Sequence, residues 1–376
     1  MKVEFYKHNV GVDEIKAVSN ALTSTFLTTG PITKEFEFKF SNYLGVSHTL
    51  GFSSWTSAAF LVLKAWGIGP GDEVIVPSMT FIATANVVLQ NGAKVVFCDS
   101  ESITGNINLD HIESLITKNT RVIIPVHLYG QMVNMRKLKI IAEKYNIKIL
   151  EDCAHNIEGS RDGYRPGHLS DAAVFSFYAT KNITSGEGGA VSTNSKSLIE
   201  KLILLRNHGM DKSAADRYSG VYKHWDMRVL GYKANMFDIQ AAMLLSQLKK
   251  IDQLLKKKES ICQYYQQRFD DAGILYPKVI ENSISARHLF TILVDPDIRD
   301  KVLISLQGKD IGVAVNFRAV HTLSYYQNYL SATKVDLKNA EIIGNSTITL
   351  PMYPRLTQKE IKYVADSVIA AVNNAS

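Results

Sequence analysis

Short apolar runs alternate with longer segments of mixed character through the first two thirds of the chain. The apolar runs predict buried strands at Glu73–Pro77, Lys94–Asp99, Arg121–Val126, Lys148–Asp152 and Ala172–Tyr178. The segments between them predict helices at Thr56–Trp66, Thr84–Gln90, Leu109–Ile116 and Met135–Tyr145. Strands and helices that alternate in this way form a mainly parallel sheet covered on both faces, so this part predicts an α/β fold.

The pattern changes after residue 240. A long helix from Asp238 to the region of Arg268 is predicted to carry the chain out of the first domain. Later strands are predicted at Leu289–Val294, Val313–Phe317 and Ser346–Leu350, and a final helix at Gln358–Val372. We expect a large α/β domain over residues 1–240, and a linking helix with a smaller α+β domain over residues 241–376. The first 15 or so residues are expected to pack with the smaller domain or at the interface.

Polar residues recur where the predicted strands of the large domain end. They are Ser78, Asp99, His127, Asp152 and Lys181. In open α/β sheets, ligands bind outside the carboxyl ends of the strands, so these side chains predict one common site.

Lys181 stands between two segments that favour a rigid and partly buried amine. An apolar strand precedes it, and the glycine-rich segment Ser185–Gly189 follows it and favours a tight turn. Removing an amine from water lowers its pKa, which is what a lysine that forms a Schiff base needs. The alternative for a lysine after a strand is a simple surface position. Taken with the other strand-end residues, the pattern favours the catalytic interpretation.

Composition and charge limit the class of protein. The chain of 376 residues is 46% hydrophobic and 21% charged, as expected of a globular protein long enough for two subdomains. Its net charge of +6 suits small anionic ligands and does not by itself predict nucleic-acid binding. The cysteines Cys98, Cys153 and Cys262 are widely spaced, which favours a reducing compartment without a metal site. Neither a signal peptide nor a membrane span is predicted, so a cytoplasmic location is expected.

Further residues near the strand ends suit a flat cofactor that carries a phosphate. Asp152 either caps the following turn or holds a protonated pyridine nitrogen, and His155 either packs in the core or contacts the ring. The hydroxyls of Ser53–Ser57 cap a helix whose N-terminus also favours a phosphate, to which Ser176 could add a hydroxyl. Phe81 is either a core residue or a ring that stacks on the cofactor.

Several stretches together resemble one known family. They are Gly69–Pro77, Ile124–Gly130, Glu151–His155, Phe175–Asn182, Gly186–Ala190, Leu205–Gly209 and Gly231–Met236. In this order they resemble the DegT/DnrJ/EryC1/StrS family of pyridoxal-phosphate-dependent nucleotide-sugar aminotransferases. The resemblance covers nearly the whole chain. It implies aminotransferase fold type I.

The resemblance also implies roles for individual residues. Lys181 would be the catalytic residue that forms the Schiff base with pyridoxal 5'-phosphate, and Asp152 would pair with the pyridine nitrogen. The remaining cofactor contacts would be Trp55, Thr56, Phe81, His155, Ser176 and Asn235. Asn235 would reach the phosphate of a neighbouring subunit, so the resemblance implies a homodimer with shared active sites. Trp55 departs from the family, where small residues are more usual, so its backbone contact is a safer prediction than a side-chain role.

Two segments narrow the resemblance to enzymes that aminate C4 of UDP-4-keto sugars with glutamate as amino donor. These are Leu27–Pro31, which contains Thr29, and Asn316–Thr322, which contains Arg318 and His321. Thr29, Arg318 and His321 are therefore the predicted substrate-binding residues. Such enzymes serve polysaccharide biosynthesis, for example that of lipopolysaccharide.

The sequence is also compatible with other functions. One is amination at C3 of a dTDP-linked keto sugar, and another is a non-catalytic sensor that holds a nucleotide sugar. Sugar dehydratases of the family replace the lysine with histidine, so the presence of Lys181 argues against that class. A nicotinamide-dependent oxidoreductase is disfavoured because no GxGxxG segment follows an early strand.

Overall fold

A computed structural model describes residues 1–212, 224–330 and 336–375. Its main sheet has seven strands: β1 His48–Phe52, β2 Glu73–Pro77, β3 Lys94–Cys98, β4 Thr120–Ile123, β5 Lys148–Asp152, β7 Ala172–Ser176 and β8 Gly189–Thr193. The order across the sheet is β1-β8-β7-β5-β4-β2-β3. The pairs from β3 to β7 are parallel, and β8 is antiparallel to both β7 and β1. The carboxyl ends of β2, β4, β5 and β7 therefore meet at one edge.

Helices pack on both faces of this sheet. They are α2 Pro31–Leu44, α3 Trp55–Ala65, α4 Ala83–Gln90, α5 Leu109–Leu115, α6 Met135–Tyr145 and α7 Lys196–Leu205. The first helix, α1 Val12–Leu22, packs instead on the later helix at Asp238–Leu248. Alternate residues of β2 enter different cores: Val74 and Val76 pack with α3 and α4, whereas Ile75 packs with α5 and α6. This alternation follows from the two-residue repeat of a strand and confirms the predicted sheet with both faces covered.

The elements of the rest of the chain are α8 Asp238–Leu248, α9 Ile251–Asp271, β9 Ser283–Ile284, β10 Phe290–Leu293, α10 Pro296–Gly308, α11 Ser324–Tyr329, α12 Lys338–Ser346, β11 Thr347–Leu350 and α13 Gln358–Ala375. Helices α9, α10 and α13 build a second core with strands β10 and β11. The buried side chains of α8, α11 and α12 instead join the cores that pack on the main sheet. Strands β10 and β11 are antiparallel, and β9 pairs with the short strand β6, Ser160–Arg161. Val3 lies in this second core, and its N–H donates to the carbonyl of Asp310. Within the described ranges, no helix has both the length and the apolar character needed to cross a membrane.

Two predicted elements differ in the structure. The single helix expected from Asp238 to Arg268 is two helices, because Lys249 and Lys250 separate α8 from α9. The ammonium group of Lys250 binds the carboxylates of Asp13 and Glu14 on α1, a tertiary contact that the local pattern does not reveal. The strand expected at Val313–Phe317 was also wrong, since only its second residue pairs, with Thr349, before the chain turns toward the site described next.

Candidate active site

Seven predicted residues from different elements line one open cavity of about 460 Å³ at the carboxyl edge of the sheet. Asp152 ends β5, Ser176 ends β7, and Lys181 lies in the connection between β7 and β8. The others are Phe81, which follows β2, Trp55 and Thr56, which begin α3, and His155. The position of this cavity is the one that a parallel α/β sheet offers to a ligand.

Asp152 provides a buried carboxylate. One of its oxygens accepts a hydrogen bond from the Thr84 hydroxyl at 2.8 Å, and the other accepts from the Ala154 N–H at 3.0 Å. Burial raises the pKa of Asp152, while these two hydrogen bonds and the charge of Lys181 act against that rise. A ligand cation at this carboxylate would favour its ionised form, so Asp152 is suited to hold a protonated ring nitrogen.

Lys181 is half-buried and lines the cavity. Burial lowers the pKa of Lys181 to about 8, an effect that the negative charge of Asp152 partly offsets. The amine therefore exchanges between its charged and neutral forms near physiological pH. A neutral amine can attack a carbonyl carbon and can also accept a proton from carbon.

The start of α3 provides an anion-binding end to the cavity. The Ser54 hydroxyl caps the helix by accepting from the Ser57 N–H at 3.1 Å, and Trp55 and Thr56 form the first turn. A side-chain carbon at Gly189 would lie 2.5 Å from the carbonyl carbon of Ser54, so only glycine lets β8 approach this turn. The buried indole nitrogen of Trp55 has no hydrogen-bond partner in the described part of the chain. Unpaired N–H groups at a helix N-terminus are suited to a phosphate.

Aromatic rings form a flat wall of the cavity. The rings of His155 and Phe317 are stacked, with centroids 5.8 Å apart and an angle of 19° between their planes. Phe81 lies 6.0 Å from Phe317 and is 57% exposed, which makes it accessible to a ligand. Burial and the charge of Lys181 keep the pKa of His155 well below its usual value, so this ring is neutral.

Four other predicted residues lie outside this cavity. Asn235 donates a hydrogen bond to the hydroxyl of Thr29 at 2.6 Å, away from Lys181. Arg318 is exposed. His321 is buried and uses both ring nitrogens inside the protein, with the Ser78 hydroxyl at 2.6 Å and the Glu341 carboxylate at 3.0 Å. The roles predicted for these residues remain predictions.

The cavity is also lined by residues that are not among the predicted site residues. They include Thr84, Tyr178, Thr180, Glu187, His288 and Phe317. The sequence predicts Thr84 as part of a helix and Phe317 as part of a strand. His288 immediately precedes a predicted strand, a position that carries no local signal of function. Thr84 and His288 reach the site through tertiary packing, whereas Tyr178, Thr180 and Glu187 lie close to Lys181 in the chain and Phe317 lies in the segment Asn316–Thr322.

The residues present fit pyridoxal phosphate. A buried carboxylate suits its ring nitrogen, a helix N-terminus suits its phosphate, aromatic rings suit its flat face, and a lysine of lowered pKa suits its aldehyde. The fold and this cavity together define an enzyme of the aminotransferase class, of fold type I.

Comparison with known proteins identifies the family. The sequence profile of the DegT/DnrJ/EryC1/StrS aminotransferase family matches residues 8–369, and the chain belongs to this family. The spore coat polysaccharide biosynthesis protein SpsC of Bacillus subtilis is 37% identical over 373 residues, covering 97% of this chain and 96% of SpsC.

Solved structures agree with this assignment. Spr1654 of Streptococcus pneumoniae, described as a sugar aminotransferase and solved in its PMP form, superposes with a TM-score of 0.94 at 29% identity over 100% of both chains. Its PLP form gives a TM-score of 0.92. PseC of Helicobacter pylori, an aminotransferase in pseudoaminic acid biosynthesis, has a TM-score of 0.92 at 30% identity over 100% of both chains. The predicted family, fold type, enzyme class and cofactor, pyridoxal phosphate, are thus confirmed.

Proposed function

We propose that the protein transfers an amino group from glutamate to the C4 ketone of a UDP-linked keto sugar. The observation that carries the proposal is the meeting of Lys181 and Asp152 in one cavity, at the N-terminus of α3. The sugar substrate is supported by the relatives, since SpsC is a polysaccharide biosynthesis protein and PseC acts in pseudoaminic acid biosynthesis. The preference for a UDP-4-keto sugar is supported by the sequence segments that contain Thr29 and Arg318.

Different residues of this chain carry out different parts of the reaction. Bound pyridoxal phosphate supplies an electron sink for the carbanion that forms when a C–H bond is broken. The carboxylate of Asp152 holds the proton on the ring nitrogen. The Nζ of Lys181 removes the α-proton of glutamate, and in the second half-reaction it delivers a proton to the sugar carbon that gains the amine. The first turn of α3 holds the phosphate, and the rings of His155 and Phe81 orient the flat face.

A homodimer with shared active sites is part of the proposal. Asn235 and Thr29 contact each other outside the cavity of their own chain. Large apolar side chains near Asn235 in sequence are exposed, among them Trp225 at 44%, Leu230 at 78% and Phe237 at 40%. Exposed apolar groups of this size are typical of an interface, and such an interface would bring Asn235 to a partner's phosphate. We place the enzyme in the cytoplasm, in a pathway that makes a polysaccharide such as lipopolysaccharide.

A substrate panel tests the proposal. The purified enzyme is incubated with glutamate and with UDP- and dTDP-linked 3-keto and 4-keto sugars, and the release of 2-oxoglutarate is measured. We expect the highest kcat/KM with a UDP-4-keto sugar. A higher value with a dTDP-linked 3-keto sugar would assign the alternative C3 reaction.

The colour of the purified enzyme gives a second and independent test of the proposed function. The enzyme should be yellow and should bleach when glutamate is added. A protein that binds nucleotide sugars tightly, yet neither bleaches nor releases 2-oxoglutarate with any ketone, would be a sensor and would contradict the proposal.

A further inference from the structure

A buried polar network joins α9 to the residue that follows Lys181. The ammonium group of Lys258 lies 3.1 Å from a carboxylate oxygen of Glu158 and 2.8 Å from the carbonyl oxygen of Ala286. The Glu158 and Lys258 side chains are only 1% and 5% exposed. The second carboxylate oxygen of Glu158 accepts a hydrogen bond from the side-chain amide of Asn182. A buried pair with additional hydrogen bonds on both partners holds its surroundings in a fixed arrangement.

The neighbours of Asn182 determine which way its amide points. Its nitrogen lies 2.5 Å from the Glu158 carboxylate and 3.1 Å from the carbonyl oxygen of Ala286. A main-chain carbonyl can only accept hydrogen bonds, so the group that faces it must be the NH₂. The amide oxygen of Asn182 is therefore the atom that faces His288.

This orientation fixes the tautomer of His288. The Nδ1 of His288 lies 3.1 Å from the amide oxygen of Asn182, which has no hydrogen to give, so Nδ1 carries the proton. Burial, together with the charges of Lys181 and Lys258, keeps the pKa of His288 well below its usual value. In this neutral ring, Nε2 holds a lone pair. No described residue hydrogen-bonds to Nε2, and His288 lines the cavity of Lys181.

His155 is held in the opposite tautomer. Its Nδ1 accepts a hydrogen bond from the main-chain N–H of Tyr129 at 3.3 Å, so its proton lies on Nε2. The two rings have centroids 4.6 Å apart. The cavity thus contains a neutral histidine that donates through Nε2 beside a neutral histidine that accepts through Nε2.

We propose that His288 is a substrate-binding residue of this enzyme, whose Nε2 accepts a hydrogen bond from an ammonium or hydroxyl group of the bound substrate. Asn182, Glu158 and Lys258 are positioning residues, since they act by fixing the tautomer of His288. The fixed tautomer is a property of the protein alone. Its use in substrate binding rests on the proposed aminotransferase function.

The tautomer can be observed directly. The holoenzyme is labelled with ¹⁵N-histidine, and long-range ¹H–¹⁵N spectra separate protonated from unprotonated ring nitrogens. The signals of His288 are assigned as those absent from His288→Gln. We expect a protonated Nδ1 and an unprotonated Nε2. A protonated Nε2 would overturn the proposal.

The variant Glu158→Gln tests whether the buried network fixes the tautomer of His288. A glutamine that offers its oxygen to Lys258 presents its NH₂ to Asn182, so the Asn182 amide loses one of the two acceptors that fix its direction and keeps only the Ala286 carbonyl. We expect signals of the Nε2–H tautomer of His288 to appear. The matched control is Glu259→Gln, which breaks the neighbouring ion pair to Arg287, 2.6 Å long, without touching Asn182. Unchanged His288 signals in Glu158→Gln, or equal changes in both variants, would overturn the role of the network.

Kinetic measurements test whether the Nε2 lone pair of His288 binds a substrate. A glutamine can present an oxygen in place of Nε2, whereas a leucine cannot. We expect KM for one substrate to rise about tenfold or more in His288→Leu and to recover in part in His288→Gln, because a buried substrate donor without an acceptor is costly. Equal losses in the two variants would overturn the acceptor role. If wild-type enzyme has the expected tautomer but turns over no keto sugar, the proposed function fails and the tautomer assignment stands.

Discussion

Asp152 and Glu158 are both buried carboxylates beside the Lys181 turn, but their partners differ. Asp152 accepts hydrogen bonds from a hydroxyl and a main-chain N–H, lines the cavity, and forms no ion pair with a described residue. Glu158 is paired with Lys258 and Asn182. Burial alone therefore does not mark a ligand-binding acid. A charge whose counter-ion is missing from the protein is available to a ligand cation, whereas a charge that the protein neutralises holds the framework.

The largest effect is expected at Lys181, which lines the same cavity as Asp152 and precedes Asn182, the partner of Glu158. Lys181→Ala should reduce turnover by on the order of 10⁴-fold, because it removes the group that moves the proton. It should still bind pyridoxal phosphate, since the other cofactor contacts remain. Turnover is measured by 2-oxoglutarate release, and Lys196→Ala, at a lysine 82% exposed, serves as the control.

Covalent mapping sharpens this prediction. Borohydride reduction of the wild-type holoenzyme, followed by peptide mapping, should locate the pyridoxyl group on Lys181. A label elsewhere, or repeated turnovers by Lys181→Ala, would contradict the assignment.

The next effect separates the two carboxylates by activity. Asp152→Asn keeps hydrogen-bonding atoms in place but removes the charge that would hold a proton on the cofactor ring. We expect kcat to fall by about 10²- to 10³-fold, the range for loss of a preorganised electrostatic group. Asp110→Asn, at a carboxylate 84% exposed, should retain wild-type kcat. Near wild-type activity in Asp152→Asn would show that the unpaired carboxylate is not used.

Measurements of stability should separate the two carboxylates in the opposite sense, with the larger loss at the pair that contains Glu158. Lys258→Met leaves Glu158 buried without its cation, which should lower the free energy of unfolding by about 3 kcal/mol. Lys256→Met, at an exposed position of the same helix, is the control.

At neutral pH, the Asp152→Asn apo-protein should be as stable as the wild-type apo-protein or more stable. Its folded-state pKa is raised by burial, so ionisation of Asp152 costs stability as pH rises above the unfolded value. Urea unfolding of the apo-proteins measures both effects. A loss of stability in Asp152→Asn as large as that in Lys258→Met would remove the distinction.

The smallest expected effect is a shift in the pH dependence of covalent cofactor binding. Because the pKa of Lys181 is about 8, its neutral amine should increase about tenfold per pH unit below pH 8 and level off above it. The rate at which the apo-enzyme binds pyridoxal phosphate covalently, followed by absorbance, should show this profile. The negative charge of Asp152 raises the pKa of Lys181, so Asp152→Asn should move the midpoint to lower pH. A midpoint near 10.5, the ordinary value for lysine, would contradict the burial argument.

Local signals were sufficient for the central part of the fold. Glu73–Pro77 and Lys148–Asp152 are strands, and Met135–Tyr145 is a helix, with the predicted bounds. Apolar runs and helical periodicity depend only on neighbouring residues, so they can be read without tertiary information. The rule that ligands lie at strand ends was then enough to predict that Lys181 and Asp152 share one site.

Tertiary contacts explain what the sequence did not reveal. Strand β8 begins at Gly189, which the sequence predicts to lie in a turn, and its pairing with β7 requires a partner along the sheet. The direction of the His288 ring depends on Asn182, 106 residues away. Thr29 and Asn235 are predicted to act in a site that is shared with a second chain. The pattern within one sequence does not reveal how two chains meet.

The close approach of β8 to the start of α3 has a consequence for engineering. At Gly189 the sheet and the helix are closer than any side chain permits, and the nearest atoms belong to main chain that cannot move aside cheaply. Mutant libraries aimed at new sugars should therefore hold this position constant. They should vary Phe317 instead, where a ring rather than backbone defines the boundary of the cavity and the space can be reshaped.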